Sequence, residues 1–169
     1  MQRFHFINNY RTNPDPGFLD MKTFWESIEN KNKANSQNIF SPFNDQLDLF
    51  YICLLVGLKL EVKDDISNYE ISGINDRWTV ELKNSKATDY IIGFFLSKIT
   101  KQYKDDKSKI SKALNETLDH ESDSKLSDLG MRELHNYVIG GYNKILSELD
   151  NKTPSTLVKF FDVIYKLLK

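Results

Sequence analysis

Apolar positions recur at helical spacing along most of the chain, and one segment is apolar on every side. Residues 49–58 include no charged side chain, and a helix that is hydrophobic all round lies inside its domain. Ser41-Pro42 or Asn44-Asp45 opens this helix, which we expect to end at about Leu60. We predict that it is the central core element, with Cys53 near its middle.

Amphipathic patterns predict further helices before and after this segment. The last one has the clearest start signal, because Thr153 can serve as N-cap and Pro154 loses no hydrogen bond at the first helical position. The predicted starts or spans of these helices are Asp20, Thr88 or Asp89, Ile110, about 127–149 and about 154–168.

One region is expected to be β structure. Trp78, Val80 and Leu82 alternate with polar residues, which is the pattern of a half-buried strand, and they predict a hairpin-like element near 69–83. The fold class is therefore mainly α: a single compact helical domain, 1–169, of about five to seven helices with this minor β element. The other segments are predicted to be irregular or exposed, namely 1–18 and about 30–40.

Composition limits the possible classes of protein. The chain has 169 residues, 40% hydrophobic and 28% charged, with a net charge of −1. A domain of this size buries enough surface to fold without a metal or a disulfide. We expect no cofactor, because the sequence has no metal-ligand spacing and no nucleotide-binding glycine loop. One cysteine excludes an internal disulfide and points to a reducing compartment. The N-terminus lacks a secretory signal pattern and the longest apolar run is too short for a bilayer, so we expect a cytoplasmic protein without membrane contact.

The sequence lacks the patterns of common catalytic centres. Its three histidines lie far apart, without a second His or Cys at ligand spacing, so no metal centre is expected. Glu116 and His120 would share a helix face, but a solvated acidic helix end is the favoured interpretation. Cys53 is most simply a core residue, and no glycine loop of the phosphate-binding kind is present.

The alternative to a non-enzymatic protein is a metal-dependent nuclease. Such enzymes hold a divalent ion with an aspartate followed by Glu-x-Lys on a strand. Asp76, Glu81 and Lys83 occur in that order, and Asp64 or Asp65 is an alternative aspartate. Because Glu-x-Lys also occurs twice elsewhere in the chain, the motif alone has little weight.

A run of lysines is a candidate DNA-binding patch. With Asp105 and Asp106 included, residues 98–112 carry a net charge of +4, which can hold phosphates in a salt-dependent way. Tyr103 is the one aromatic residue within the run, and a solvated helix–loop–helix junction is the favoured interpretation. The lysines are Lys98, Lys101, Lys104, Lys107, Lys109 and Lys112.

Two further features indicate packing or binding surfaces. Gly140 and Gly141 interrupt a helical pattern, and each costs about 1 kcal/mol of helix stability relative to Ala. Close packing against another helix explains such a pair, and a kink or a helix end is equally allowed. The C-terminal helix and the Phe24/Trp25 face are the apolar surfaces on which we expect a protein partner.

Two motifs frame the region of about 42–149. The first is a Pro-Phe pair followed by Asp-x-Phe and an apolar helix that ends in glycine, and the second is Tyr-x-x-Gly-Gly before an amphipathic segment. Their residues are Pro42, Phe43, Asp48, Phe50, Gly57, Tyr137, Gly140 and Gly141. In order and spacing they resemble a small family encoded beside DNA-phosphorothioation (Dnd) systems, the Dnd system-associated protein 4 family.

The resemblance implies a setting and supplies no catalytic residues. It implies an accessory protein of a bacterial anti-phage defence system linked to DNA modification, of the phosphorothioation or restriction type. Its expected partners are larger DNA-modifying or DNA-cleaving proteins. Contact with DNA is a separate candidate, which rests on the lysine patch and not on the resemblance. Together, the residues and the resemblance predict a non-enzymatic interaction protein.

Overall fold

Five α-helices make up most of the described chain, which confirms the predicted mainly helical fold. The computed structural model describes residues 10–12, 24, 26–27, 46–71, 87–122 and 124–169. The helices are α1 (Gln46–Leu60), α2 (Ala87–Lys101), α3 (Lys107–Thr117), α4 (Asp128–Glu148) and α5 (Leu157–Leu168). The other described elements are β1 (Tyr10–Thr12), a 3-10 turn (Ile66–Asn68) and β2 (Tyr69–Ile71).

The two strands form an antiparallel ribbon. Tyr10 lies opposite Ile71, and Thr12 lies opposite Tyr69. The hairpin-like element expected near 69–83 is therefore represented by its first strand, whose described partner β1 comes from the segment expected to be irregular. The alternating residues of the expected second strand lie outside the described residues.

The described residues belong to two compact units. One is drawn from Ile74–His135, and the other from Ile7–Gly73 together with Asn136–Lys169. The first unit holds α2, α3 and the first part of α4. The second holds β1, α1, β2, the remainder of α4 and α5. The predicted single domain, 1–169, depends on how these two units combine, and it stays a prediction.

In the first unit, α2 and α3 pack against each other across a short connection. The N–H groups of Tyr103 and Asp106 close this connection through backbone hydrogen bonds. The Asp106 carboxylate then caps α3 by accepting a hydrogen bond from the Lys109 N–H at 3.1 Å. The buried side chains of the unit include Ile91, Ile92, Phe95, Ile99, Ala113, Leu126, Met131 and Leu134.

In the second unit, α1 is the buried rod that the sequence predicts. Cys53 and Leu54 at its middle are fully buried, and α5 packs against α1. Phe24 joins this core, with its ring edge-on to Tyr142 at 5.8 Å between centroids and 5.9 Å from Phe160. The other buried side chains include Leu49, Phe50, Val56, Val138, Ile145, Leu146, Ile164 and Leu167.

The last helix begins later than the sequence predicts. Its N-cap is Thr156, whose hydroxyl accepts a hydrogen bond from the Lys159 N–H at 3.2 Å, so the prediction of Thr153 as the cap was wrong. Pro154 is buried ahead of the helix instead of occupying its first turn. Two residues with positive φ, 150–151, turn the chain after α4, and the helix starts only once this turn is complete.

Candidate functional site

Glycines allow α1 and the second part of α4 to meet backbone to backbone. A β-carbon on Gly57 would overlap the carbonyl oxygen of Tyr137, and one on Gly141 would overlap the carbonyl oxygen of Cys53. Since any larger residue would need the backbones to separate, glycine is required at both positions. Close packing is therefore the reason for the glycine pair, and α4 continues past Gly140 as one helix to Glu148.

The loop after α1 lies directly on α4 beside this crossing. A β-carbon on Gly140 would be 2.5 Å from the carbonyl oxygen of Val62. The ammonium group of Lys63 lies 4.6 Å from the centroid of the Tyr137 ring, within the range of a cation–π interaction. The second motif thus contacts both α1 and the residues that follow it.

Two asparagines of α4 hold the same loop by hydrogen bonds. Asn136 Oδ1 accepts from the Ile66 N–H at 3.0 Å, and Asn143 Nδ2 donates to Asp64 Oδ2 at 2.8 Å. Asp65 Oδ1 accepts from a backbone N–H two residues further along, at 2.9 Å. Asp64 and Asp65, the alternative aspartates of the nuclease hypothesis, thus have hydrogen-bonding roles in shaping this loop.

The two family-like motifs come together in the fold. Gly57 of the first motif contacts Tyr137 of the second. Phe50 is fully buried on α1, and Asp48 lies half-buried in the first turn of that helix. Pro42-Phe43 lies outside the described residues. The described motif residues therefore act mainly in packing α1 against α4.

Cys53 is a core residue, as its sequence context predicts. Its side chain is fully buried, and burial raises the pKa of the thiol far above its ordinary range. A thiol in this setting stays protonated, whereas the nucleophile of cysteine chemistry is the thiolate. The structure thus gives Cys53 a packing role.

The structure also bears on the metal-site hypotheses. Glu116 and His120 do not share a helix face, because α3 ends at Thr117. Within the part of the chain that the structure describes, no three His, Cys, Asp or Glu side chains are grouped to hold an ion. The nuclease residues lie outside the described residues, and their assignment stays a prediction; they are Asp76, Glu81 and Lys83.

The lysine run lies at the junction of α2 and α3, in agreement with the favoured interpretation. Two members have acidic partners: Lys109 Nζ lies 3.1 Å from an Asp106 carboxylate oxygen, and Lys112 Nζ lies 3.9 Å from one of Glu116. Lys98 is half-buried, and the other five lysines are exposed. The junction therefore presents a cationic surface to solvent.

Large apolar side chains are exposed on two helices. We call Val158, Phe161 and Tyr165 the α5 apolar face, and Tyr90 and Phe94 the α2 aromatic face. Their exposed fractions are 70%, 44% and 67% on α5, and 67% and 51% on α2. Phe94 is one of the apolar residues of α2, but it lies outside the buried face of that helix. The spacing of the apolar residues could have predicted this exposure. A complete apolar face already exists on the other side of α2, formed by Ile91, Ile92, Phe95 and Ile99.

Half of the predicted Phe24/Trp25 partner surface is wrong. Phe24 is fully buried against aromatic rings of α4 and α5 and presents no surface to a partner. Its ring fills the second unit's core because that core is rich in aromatic side chains. Trp25, the other residue of that predicted face, lies outside the described residues.

Comparisons with known proteins give no relative from which a function could be inferred. No protein-family model, curated protein or solved structure matches the chain. Among the helices of the described residues, none joins the length and the apolar character that crossing a bilayer demands.

Proposed function

We propose that the protein is a non-enzymatic accessory protein of a bacterial anti-phage defence system linked to DNA modification, of the phosphorothioation or restriction type. It acts by binding a larger DNA-modifying or DNA-cleaving protein. The resemblance of the two motifs supports this setting. The α5 apolar face supports the mode of action, and it is the observation that carries the proposal.

The α5 apolar face is one continuous strip. Val158, Phe161 and Tyr165 are spaced by three and four residues, which places them on the same side of the helix. Val163 and Leu167, on the opposite side, are buried. Exposed apolar patches that contain aromatic side chains are typical of protein–protein interfaces.

Charged residues lie beside this strip. Helical spacing puts Lys159, Asp162, Lys166 and Lys169 on the solvent side of α5, next to the apolar face, and all four are exposed. Protein interfaces commonly have an apolar centre and a polar rim. Because the rim carries three cations and one anion, it favours a partner surface with acidic residues around an apolar centre.

Three of the reactive groups that the structure describes have roles in packing or in loop geometry. The Cys53 thiol is sealed in the core, and Asp64 and Asp65 accept hydrogen bonds from the loop and from α4. These contacts support a protein that works by binding.

A pull-down from the native host tests the proposal. The bait is the tagged full chain, and the captured proteins are identified by mass spectrometry. We expect a DNA-modifying or DNA-cleaving protein that is retained by the wild type and lost by the double variant Phe161→Ala/Tyr165→Ala. The matched control is Tyr90→Ala/Phe94→Ala, which also removes an exposed Tyr and Phe four residues apart.

The control should retain the partner. Capture of the same protein by Phe161→Ala/Tyr165→Ala would show that the α5 apolar face is not the interface. Recovery of partners without any link to DNA modification would overturn the proposed setting, and so would a gene located reproducibly far from such systems.

The non-enzymatic part is tested separately with plasmid DNA and Mg²⁺ or Mn²⁺. We expect the wild-type protein to leave the plasmid intact. Cleavage that disappears in Glu81→Ala would instead establish the nuclease hypothesis with Asp76, Glu81 and Lys83.

A further inference from the structure

The exposed side of α2 changes in character along its length. Tyr90 and Phe94 lie one turn apart, and Ser97 and Lys101 continue the same face at steps of three and four residues. All four residues are exposed. With a rise of 1.5 Å per residue, the distance from Tyr90 to Lys101 along the helix is about 16 Å. One helix face thus offers aromatic rings at one end and a cation at the other.

The cationic end continues beyond the helix. Lys104, in the turn with a φ of 51°, and Lys107, at the start of α3, are exposed like Lys101. No acidic side chain of the described residues forms an ion pair with any of these three lysines. Asp105 is an exposed neighbour, and Asp106 pairs with Lys109, so the junction keeps an excess of positive charge.

Aromatic rings beside unpaired cations suit one class of ligand. Single-stranded nucleic acid is commonly held by base stacking on exposed aromatic side chains and by contacts between lysines and phosphates. In a duplex the bases are stacked on each other, and their faces are closed to a protein ring except where a base is unstacked. The α5 apolar face differs, because the exposed Asp162 lies beside it and Val158 extends its apolar part.

We infer that the α2 aromatic face and the adjoining Lys101, Lys104 and Lys107 form a binding site for single-stranded nucleic acid. This site is distinct from the α5 apolar face and extends the protein's function beyond partner binding. Bases stack on Tyr90 and Phe94 at the N-terminal end of α2, and the phosphates that follow lie on the lysines of the junction.

Fluorescence anisotropy of the full chain tests this inference. The probes are labelled oligothymidylate and oligouridylate of about 16 nucleotides, with a duplex of the same length and inorganic polyphosphate as comparisons. We expect saturable binding of a single strand. The affinities for the duplex and for polyphosphate should be lower by about 10-fold or more. The tighter of the two single strands identifies DNA or RNA as the ligand.

Three variants separate stacking from charge. Tyr90→Ala/Phe94→Ala should weaken single-strand binding by about 10-fold or more, while Phe161→Ala/Tyr165→Ala should leave it within about 2-fold. Lys101→Gln/Lys104→Gln/Lys107→Gln should lower the slope of log affinity against log salt by about 2, because each phosphate contact on a single strand contributes about 0.7. Circular dichroism confirms that each variant is folded.

Any of the following results would overturn the inference. Undetectable binding of both single strands, or equally tight binding of polyphosphate or duplex, excludes a stacking site. Full affinity in Tyr90→Ala/Phe94→Ala excludes the α2 face. An equal loss in both aromatic variants also excludes this assignment. Since the pull-down depends on Phe161 and Tyr165, failure of either proposal leaves the result of the other readable.

Discussion

Gly141 on α4 faces Cys53 on α1 so closely that a β-carbon on Gly141 would overlap the Cys53 carbonyl oxygen and lie 2.7 Å from the Gly57 nitrogen. The obstacle is backbone inside a buried helix, which cannot move aside as a flexible side chain can. A residue that weakens an isolated helix is therefore needed to bring two helices together.

We predict that Gly141→Ala destabilises the protein. Alanine favours the helix by about 1 kcal/mol, but overpacking against backbone exceeds this gain, and we expect a net loss of roughly 3 kcal/mol. Denaturant unfolding followed by circular dichroism measures the change. The control is Gly93→Ala on α2, where a β-carbon would meet nothing within 4 Å, and it should stabilise by about 0.5–1 kcal/mol. Equal stabilisation by both variants would contradict backbone contact at Gly141.

Cys53 should be protected from thiol reagents in the folded protein. Its side chain is fully buried and its thiol stays protonated, because burial raises the pKa of Cys53. We expect a disulfide reagent to modify it only as the chain unfolds, and faster in Gly141→Ala than in the wild type. Reaction of the native protein at the rate measured in guanidinium would show that the α1 interior is accessible.

The same burial predicts a loss of stability at alkaline pH. A group whose pKa is raised on folding contributes stability that is fully present below its unfolded pKa and is lost as the pH rises above it. For Cys53 this loss of stability begins at about pH 9, the ordinary thiol pKa. Unfolding curves collected across this range should fall with pH in the wild type and fall less in Cys53→Ala, which has no thiol. Parallel curves for the two proteins would contradict the prediction.

Removing the Asn136 side chain should loosen the loop after α1. Its oxygen accepts the N–H of Ile66, which is 2% exposed, so Asn136→Ala leaves a buried donor unsatisfied. We expect a loss of about 1–2 kcal/mol in the free energy of unfolding. Asn136→Asp keeps an acceptor oxygen and should recover part of the loss. Asn115→Ala, at an exposed position on α3, should change stability little.

The cap of α3 should respond to acid. The N–H of Lys109, and then its ammonium group, hold the pKa of the Asp106 carboxyl below its ordinary value. A lowered folded pKa gives stability that is present above the unfolded pKa, about 3.9, and is lost as the pH falls through the folded one. The protection of the first-turn amides of α3 against hydrogen exchange, taken relative to the intrinsic exchange rate at each pH, should therefore fall in acid. Asp106→Asn keeps the cap without the charge, and its profile should be flatter; identical profiles would exclude Asp106 as the source.

Several elements follow directly from local patterns in the chain. The interior position of α1 is confirmed because its residues are apolar on every side, and no solvated orientation exists for such a helix. The helical span of α4 also agrees with its apolar periodicity. The start of α3 does not, because Asp106 caps the helix at Lys107, three residues before the predicted start at Ile110. The start of α5 does not, because Thr153 and Thr156 both carry a capping hydroxyl. Which one caps the helix depends on how the chain leaves α4.

Strand pairing and surface assignments required contacts between distant residues. β2 has the local pattern of a strand, but nothing in its own residues names Tyr10–Thr12 as the neighbour. Phe24 and Phe94 are equally hydrophobic, yet one is fully buried and the other is half exposed. Hydrophobicity alone cannot separate them, since burial depends on whether neighbouring elements cover a given face.

A mainly helical fold, a buried α1 and an anomalous glycine pair all follow from the amino-acid order, because each depends on residues close together in the chain. Only the tertiary structure shows that Gly141 contacts Cys53 and that Gly57 contacts Tyr137. It also shows that Tyr90 and Phe94 are exposed on the helix that leads into the lysine-rich turn. The physical reason is that the hydrophobic effect has no direction. It drives apolar faces inward, but steric fit between distant backbones selects which faces meet and which aromatic rings remain outside to bind a ligand.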